Sequence, residues 1–145
     1  NVIQSLVQHL KEQNCPKVVI VGLSLGGWVS NLHRSVYNSA DVYIPIFAGA
    51  ALDSLFTKSY YAKLVSETAI VKPQVLKEVL NFEQQFSLIS TKNIYPLLAK
   101  YDQFIEYSVQ KSIYDDYDIS TIEKGHITGA LAATDIRQHI LSAIG

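Results

Sequence analysis

The apolar positions of this chain fall into two alternating spacings. From Val2 to Gln13, residues Val2, Ile3, Leu6, Val7 and Leu10 recur at helical spacing, which predicts an amphipathic helix. Asn14-Cys15-Pro16 ends it, because the residue before a proline is pushed out of the helical region. Val18-Val19-Ile20-Val21 is an unbroken β-branched run with no position left for water, so a strand covered on both faces is expected over Lys17 to Val21. After it, Leu25, Val29, Leu32 and Val36 share one face of a helix, and that face is expected to pack back on the sheet. Val42 to Ala48 reads as a further strand, in which Pro45 removes one ladder donor and marks a bulge or an early end.

The middle of the chain changes character. Ser54 to Val65 and Pro73 to Phe86 read as helices with no strand between them. Pro73 suits a first-turn position, and Val75, Val79, Phe82 and Phe86 make one stripe. Residues 50–91 are therefore expected to form a helical insert, longer than an ordinary crossover, lying over the strand ends as a cap or serving as an elaborate connection. Alternation then resumes: a strand over Ile94 to Ala99, a helix face at Phe104, Ile105, Val109 and Ile113, a short strand over Tyr117 to Ile122, and a closing helix over Ile127 to Ile144. Helix, strand, helix, strand in this order predicts an α/β fold with a parallel sheet of four strands and helical crossovers, in a single domain over residues 1–145.

Composition narrows the function classes. Twelve Lys+Arg against 13 Asp+Glu leave a net charge of −1, without the basic stripe that nucleic acid or an anionic membrane would require. No apolar run reaches the roughly 18 residues of a membrane span. The single cysteine, Cys15, has no internal disulfide partner and no neighbours at metal-ligand spacing. With no methionine in the chain, Asn1 is not expected to be the natural start. Cytoplasm is the default location where neither disulfides nor a signal peptide are seen.

The chemistry concentrates behind the first strand. Gly22-Leu23-Ser24-Leu25-Gly26 has the spacing G-x-S-x-G between a predicted strand and a predicted helix. A serine on so sharp a turn takes a strained backbone conformation, and small residues two before and two after let the neighbouring chain pass. The same turn places the first N–H groups of the helix beside the hydroxyl, where they can bind negative charge. In a parallel sheet every strand delivers its carboxyl end to one rim, so Asp102 and His126, each just past a later strand, can meet Ser24 there.

This arrangement resembles the α/β-hydrolase superfamily. Gly22 to Gly26 is similar to its nucleophile elbow, and the chain order Ser, Asp, His is that family's order. Lys100-Tyr101-Asp102-Gln103-Phe104-Ile105 resembles the acid loop after its seventh strand, with Lys100 where glycine is usual, and Gly125-His126 resembles its G-H loop. The resemblance spans essentially the whole chain. It implies strands five to eight of the full fold, with Val2 to Gln13 as the helix before the fifth. The earlier strands, and the loop that supplies a second oxyanion donor, have no counterpart. In this chain alone the Ser24 strand would therefore be an exposed apolar edge, covered by a missing N-terminal half or by another chain.

The resemblance implies a serine-dependent hydrolase of an ester, thioester or related small-molecule acyl compound. The serine hydroxyl is protonated near neutral pH and needs a base, and a histidine with an ordinary pKa of about 6.5 can take and return its proton. Asp102 would hold the imidazole in the required tautomer, and the Leu25 N–H would be one oxyanion donor. No metal or organic cofactor is needed. Asp53 is a second candidate for the acid, Asp115, Asp116 and Asp118 read as a solvated turn, and His9, His33 and His139 as partly exposed helix residues. Trp28 is expected in the core near the site, while Tyr60 and Tyr61 either line a pocket or simply pack. An acyltransferase would use the same triad, and a non-catalytic hydrolase-like binding module is the alternative from another class. A nucleotide-binding domain is disfavoured, since Gly22 to Gly27 has neither the G-x-G-x-x-G pattern nor a P-loop lysine.

Overall fold

The computed structural model describes residues 2–63 and 71–145. Four strands, β1 (Val19–Leu23), β2 (Val42–Ile46), β3 (Leu97–Ala99) and β4 (Ser120–Ile122), form one parallel sheet in the order β1-β2-β3-β4. The helices are α1 (Val2–Glu12), α2 (Leu25–Val36), α3 (Leu52–Thr57), α4 (Pro73–Leu80), α5 (Glu83–Ser87), α6 (Tyr107–Lys111), α7 (His126–Ala130) and α8 (Ala133–Ile144). Alternate strand residues point to opposite faces, which splits the apolar interior in two. Tyr43 and Leu98 face a cluster built with Val7 of α1, Trp28 of α2, Phe82 and Phe86. Val42, Ile44, Ile46, Leu97 and Ala99 face the other way, against Ile136, Ile140 and Ile144 of α8.

Local chemistry sets several boundaries. Asn14 (φ 57°) and Asn38 (φ 43°) take the left-handed conformation just after α1 and α2, a role asparagine fills more readily than other non-glycine residues. Pro73 occupies the first turn of α4, where its missing N–H costs nothing. β2 is buried along its length and ends at Ile46, one residue after Pro45 and two short of the expected Ala48. Tyr43 N–H donates to Asn93 O and Phe47 N–H to Leu97 O, a step that would pair residue 45 with Tyr95 O. Pro45 has no N–H to give, and His139 Nε2 lies 3.0 Å from that carbonyl instead.

Other expectations are corrected. Leu25, Val29, Leu32 and Val36 of α2 are exposed, at 64%, 39%, 44% and 59%. The face that packs on β1 and β2 carries Gly27, Trp28, Asn31 and Arg34, and polar residues can line it because each finds partners. Asn31 Nδ2 donates to Gly49 O at 2.8 Å and to the Tyr114 hydroxyl at 2.6 Å. Arg34 is fully buried between the rings of Phe86 and Tyr117 and donates to Thr91 O and the Tyr117 hydroxyl. His33 is likewise buried, not at the surface. Val21 and Leu23 of β1 are 45% and 40% exposed, so the strand is not covered as an unalternating run implies; β1 is the outermost strand on its side.

The predicted helices are also shorter. α3 stops at Thr57 and a 3-10 turn covers Tyr60–Lys63, while residues 64 and 65 of that expectation lie outside the described residues. Pro73 to Phe86 breaks at Asn81, which bridges to Ala51, so Phe82 and Phe86 are buried while Val75 and Val79 are exposed. The closing helix is two, α7 and α8.

Candidate active site

Ser24 sits between β1 and α2 with φ 54° and ψ −117°. A non-glycine residue there is strained by its own Cβ, and the surroundings must hold it in place. Its N–H donates to Ile46 O at 2.8 Å and its carbonyl accepts from Trp28 N–H, so strand and helix both hold the turn. The close approach that permits it falls at Gly22 and Gly27. A Cβ on Gly22 would lie 2.0 Å from Gly26 O, and one on Gly27 would lie 2.7 Å from the Ala48 Cβ. At Gly26 a Cβ would meet open space, so of the motif's two glycines only the first needs to lack a side chain.

The loops after β3 and β4 bring the other two residues to the same rim. Lys100 N–H donates to Ile122 O and Tyr101 N–H to Lys124 O, which ties the two loops together. Lys100 does not need glycine's conformational range, since its φ is not positive, and its ammonium pairs with Glu123 across the loops. His126 Nδ1 lies 2.7 Å from Asp102 Oδ2, and His126 Nε2 lies 2.8 Å from Ser24 Oγ. Ser24, His126 and Asp102 thus form one hydrogen-bonded chain. Asp53, the rival acid, accepts instead from Asn81 Nδ2, on α3.

Asp102 is the most heavily engaged group of the three. Its side chain is fully shielded from solvent. Burial pushes its pKa up, but hydrogen bonds from His126 and Gln110 and the Phe104 N–H outweigh this and hold the carboxyl below its ordinary value. Oδ1 accepts from the Phe104 and Ile105 N–H groups, and Oδ2 shares His126 with Gln110 Nε2, which lies 2.9 Å away. Gln110, 1% exposed, was not singled out in the sequence, because a lone Gln on a helix carries no motif.

An apolar cavity of about 250 Å³ opens beside Ser24 and His126. Leu25 and Trp28 of α2 and Phe104 and Ile105 of the acid loop form part of its wall. Leu55, Phe56 and Tyr61 come from the 50–91 segment, and Phe47 completes the lining. Tyr61 is part of the wall, and Trp28 is both buried and part of it; the Tyr60 side chain lies outside what the structure describes. Phe47, another residue the sequence did not mark, has φ 54° just after β2, and its ring lies 5.8 Å from the His126 ring. The Phe104 ring meets His126 edge-on at 4.8 Å. A larger hollow of about 640 Å³, bordered by Asp53, Lys58, Lys77, Asn81 and Glu83, holds no pairing of nucleophile and base among its described residues. Among the described residues no group of three or more His, Cys, Asp or Glu could hold a metal ion, and no helix is long and apolar enough to cross a membrane.

No protein-family model and no curated protein matches the chain. Solved structures do. A hydrolase from Pseudomonas aeruginosa PA01 superposes with a TM-score of 0.65 at 13% identity, over 98% of this chain and 70% of that one. An esterase from Pyrococcus furiosus gives 0.68 at 13% identity, over 98% and 59%. An alpha/beta fold family hydrolase from Bacillus anthracis gives 0.70 at 13% identity, over 97% and 72%. The chain thus spans 59% to 72% of the lengths of these three proteins. With the four-stranded parallel sheet and its helical crossovers, this likeness shows that the chain has the α/β-hydrolase fold.

Proposed function

We propose that this chain is a serine hydrolase acting on an ester, thioester or related acyl compound through an acyl-serine intermediate. The observation that carries the reading is the unbroken run of two hydrogen bonds, 2.8 Å and 2.7 Å long, from Ser24 Oγ through His126 to Asp102. In this reading Ser24 Oγ attacks the carbonyl carbon while its proton passes to His126 Nε2. The electron pair of the C=O bond moves to oxygen, and the Leu25 N–H, in the first turn of α2 where no intrahelical acceptor exists, donates to that oxyanion. The C–O or C–S bond to the leaving group then breaks and the leaving atom takes the proton from His126. Water repeats the cycle and frees Ser24. Asp102, held ionised by its donors, fixes Nδ1–H and stabilises the imidazolium. That the structural neighbours include hydrolases supports this reading.

A fluorophosphonate probe tests it most directly. The chain is expected to be labelled at Ser24, and Ser24→Ala is expected not to be; an unlabelled wild-type chain that hydrolyses no activated ester would overturn the reading.

The exposed β1 edge and the apolar α2 strip are proposed to be covered by further sheet and helix of the same fold. Partial coverage of the longer neighbours supports this. Light scattering showing these 145 residues to be a hydrolytically competent, monodisperse monomer would contradict it.

A further inference from the structure

The cavity beside Ser24 has a chemistry that the fold alone does not assign. Its described lining is aromatic and aliphatic, and Ser24, His126, the Tyr61 hydroxyl and the Trp28 indole N–H are the polar side-chain groups among the described residues. No Lys, Arg, Asp or Glu borders it among the described residues. An ionised substrate group entering it would lose water and gain no counter-charge, which is heavily unfavourable. At roughly 30 Å³ per water-sized group, the 250 Å³ space takes about eight non-hydrogen atoms.

The side of the substrate it holds follows from the reaction. The acyl part stays bonded to Ser24 through the intermediate, whereas the leaving group must depart and be replaced by water. A partly enclosed apolar cavity suits the part that stays. Two features show that this wall is held in place. Phe47 keeps its ring against His126 and Gly129 at the cost of a positive φ, and a Cβ on Gly129 would lie 2.8 Å from the Phe47 ring. Tyr61 packs on Phe104 of the acid loop at 5.2 Å between ring centroids, so the two residues brace one another in the wall.

Resting on the acyl-serine reading above, we propose that the enzyme selects an uncharged, apolar acyl group of medium length, about eight non-hydrogen atoms, seated among Trp28, Phe47, Leu55, Phe56, Tyr61 and Phe104. Each methylene taken from water into such a wall raises kcat/KM about threefold to fourfold, until the cavity is full.

The test is kcat/KM of the full chain on p-nitrophenyl esters with acetyl, butanoyl, hexanoyl, octanoyl, dodecanoyl and hexadecanoyl groups. An ω-carboxylated octanoyl ester and a series of octanoyl esters with different alcohols complete the set. Expected are a maximum at hexanoyl to octanoyl at least 30-fold above acetyl, a fall beyond it, and at least 100-fold discrimination against the ω-carboxylate. Changes of alcohol at equal leaving-group pKa are expected to matter less than tenfold. Leu55→Trp, which fills the cavity, lowers the octanoyl-to-acetyl ratio at least tenfold. Tyr61→Ala, at a half-exposed position that leaves the fold intact, moves the maximum to longer chains. Fluorophosphonate labelling of Ser24 in each variant separates the two readings. Labelling with a flat acyl series, equal use of the ω-carboxylate, or selectivity residing in the alcohol overturns the pocket and leaves the acyl-serine mechanism standing. Absent labelling together with absent hydrolysis overturns both.

Discussion

Gln110 Nε2 donates to Asp102 Oδ2 across 2.9 Å, and the same oxygen faces His126 Nδ1 at 2.7 Å. The amide also donates to Ile105 O, which fixes its orientation. In the proposed mechanism Gln110 is a positioning residue, acting on the imidazole through Asp102. Gln110→Leu is expected to lower kcat about tenfold with KM nearly unchanged, the scale of one hydrogen bond to a charged group. Steady-state kinetics of the variant check this; a KM that rises as far as kcat falls would reduce Gln110 to a packing residue.

Asp102 also ties stability to acidity. Its folded pKa lies below the ordinary 3.8, so the fold gains from its ionisation at neutral pH. That gain is present above about pH 4 and is lost as pH falls through the lowered value. Asp102→Asn is expected to show a flatter loss of stability below pH 4 than wild type, read as urea midpoints between pH 2.5 and 7. Its activity is expected to fall by about 10³ to 10⁴, since the amide cannot hold the required tautomer.

The elbow glycines are not equivalent. Gly22→Ala drives a Cβ into the Gly26 backbone and is expected to cost about 3 kcal/mol or more. Gly27→Ala presses on Ala48 and two carbonyl oxygens, for about 1 to 3 kcal/mol. Gly26→Ala enters open space within α2 and is expected to be neutral or to stabilise by up to about 1 kcal/mol. Thermal unfolding of the three single variants orders them.

His33 supplies a second acid-sensitive point. Desolvation by burial lowers its pKa, and its two nitrogens face the Tyr43 hydroxyl at 3.1 Å and Gln4 Oε1 at 3.0 Å. The unfolded chain binds a proton at about pH 6.5 while the folded one resists it, so stability is expected to decline as pH falls from 6.5 towards 5. His33→Gln removes that titration, and its midpoints are expected to be flat over this window even where its stability is lower.

The exposed strip of α2 makes a contrasting case. Leu32→Asn and Val36→Asn are expected to change the stability of these 145 residues by no more than about 0.5 kcal/mol, whereas Arg34→Ala, which strips a fully buried network, is expected to cost about 3 kcal/mol or more. Chemical denaturation of the single variants separates the two faces.

The sequence made the sheet legible because strand order and crossovers follow from alternation, and it brought Ser24, Asp102 and His126 to one rim because parallel strands end together. It misjudged α2 for a physical reason. Hydrophobic periodicity marks the apolar stripe of a helix, and here the sheet packs on the stripe that holds Gly27, Trp28, Asn31 and Arg34. Gly27 lets the helix come close to the sheet, and the Asn31 amide and Arg34 guanidinium donate to Gly49, Thr91, Tyr114 and Tyr117, none of them near in sequence. Gln110 and Phe47 escaped notice likewise, since the role of Gln110 depends on how the preceding loop folds Asp102 and Ile105 back onto it, and that of Phe47 on a backbone angle that no residue type announces.

Because β1 is the outermost of the four strands, the backbone of Ser24 at its end is held from one neighbouring strand, through Ile46 O of β2, and by the Trp28 N–H of its own helix. In the proposed mechanism, a crosslink along Val19 to Val21 would act on the serine through the strand backbone rather than through the cavity, none of whose described lining residues lies in β1.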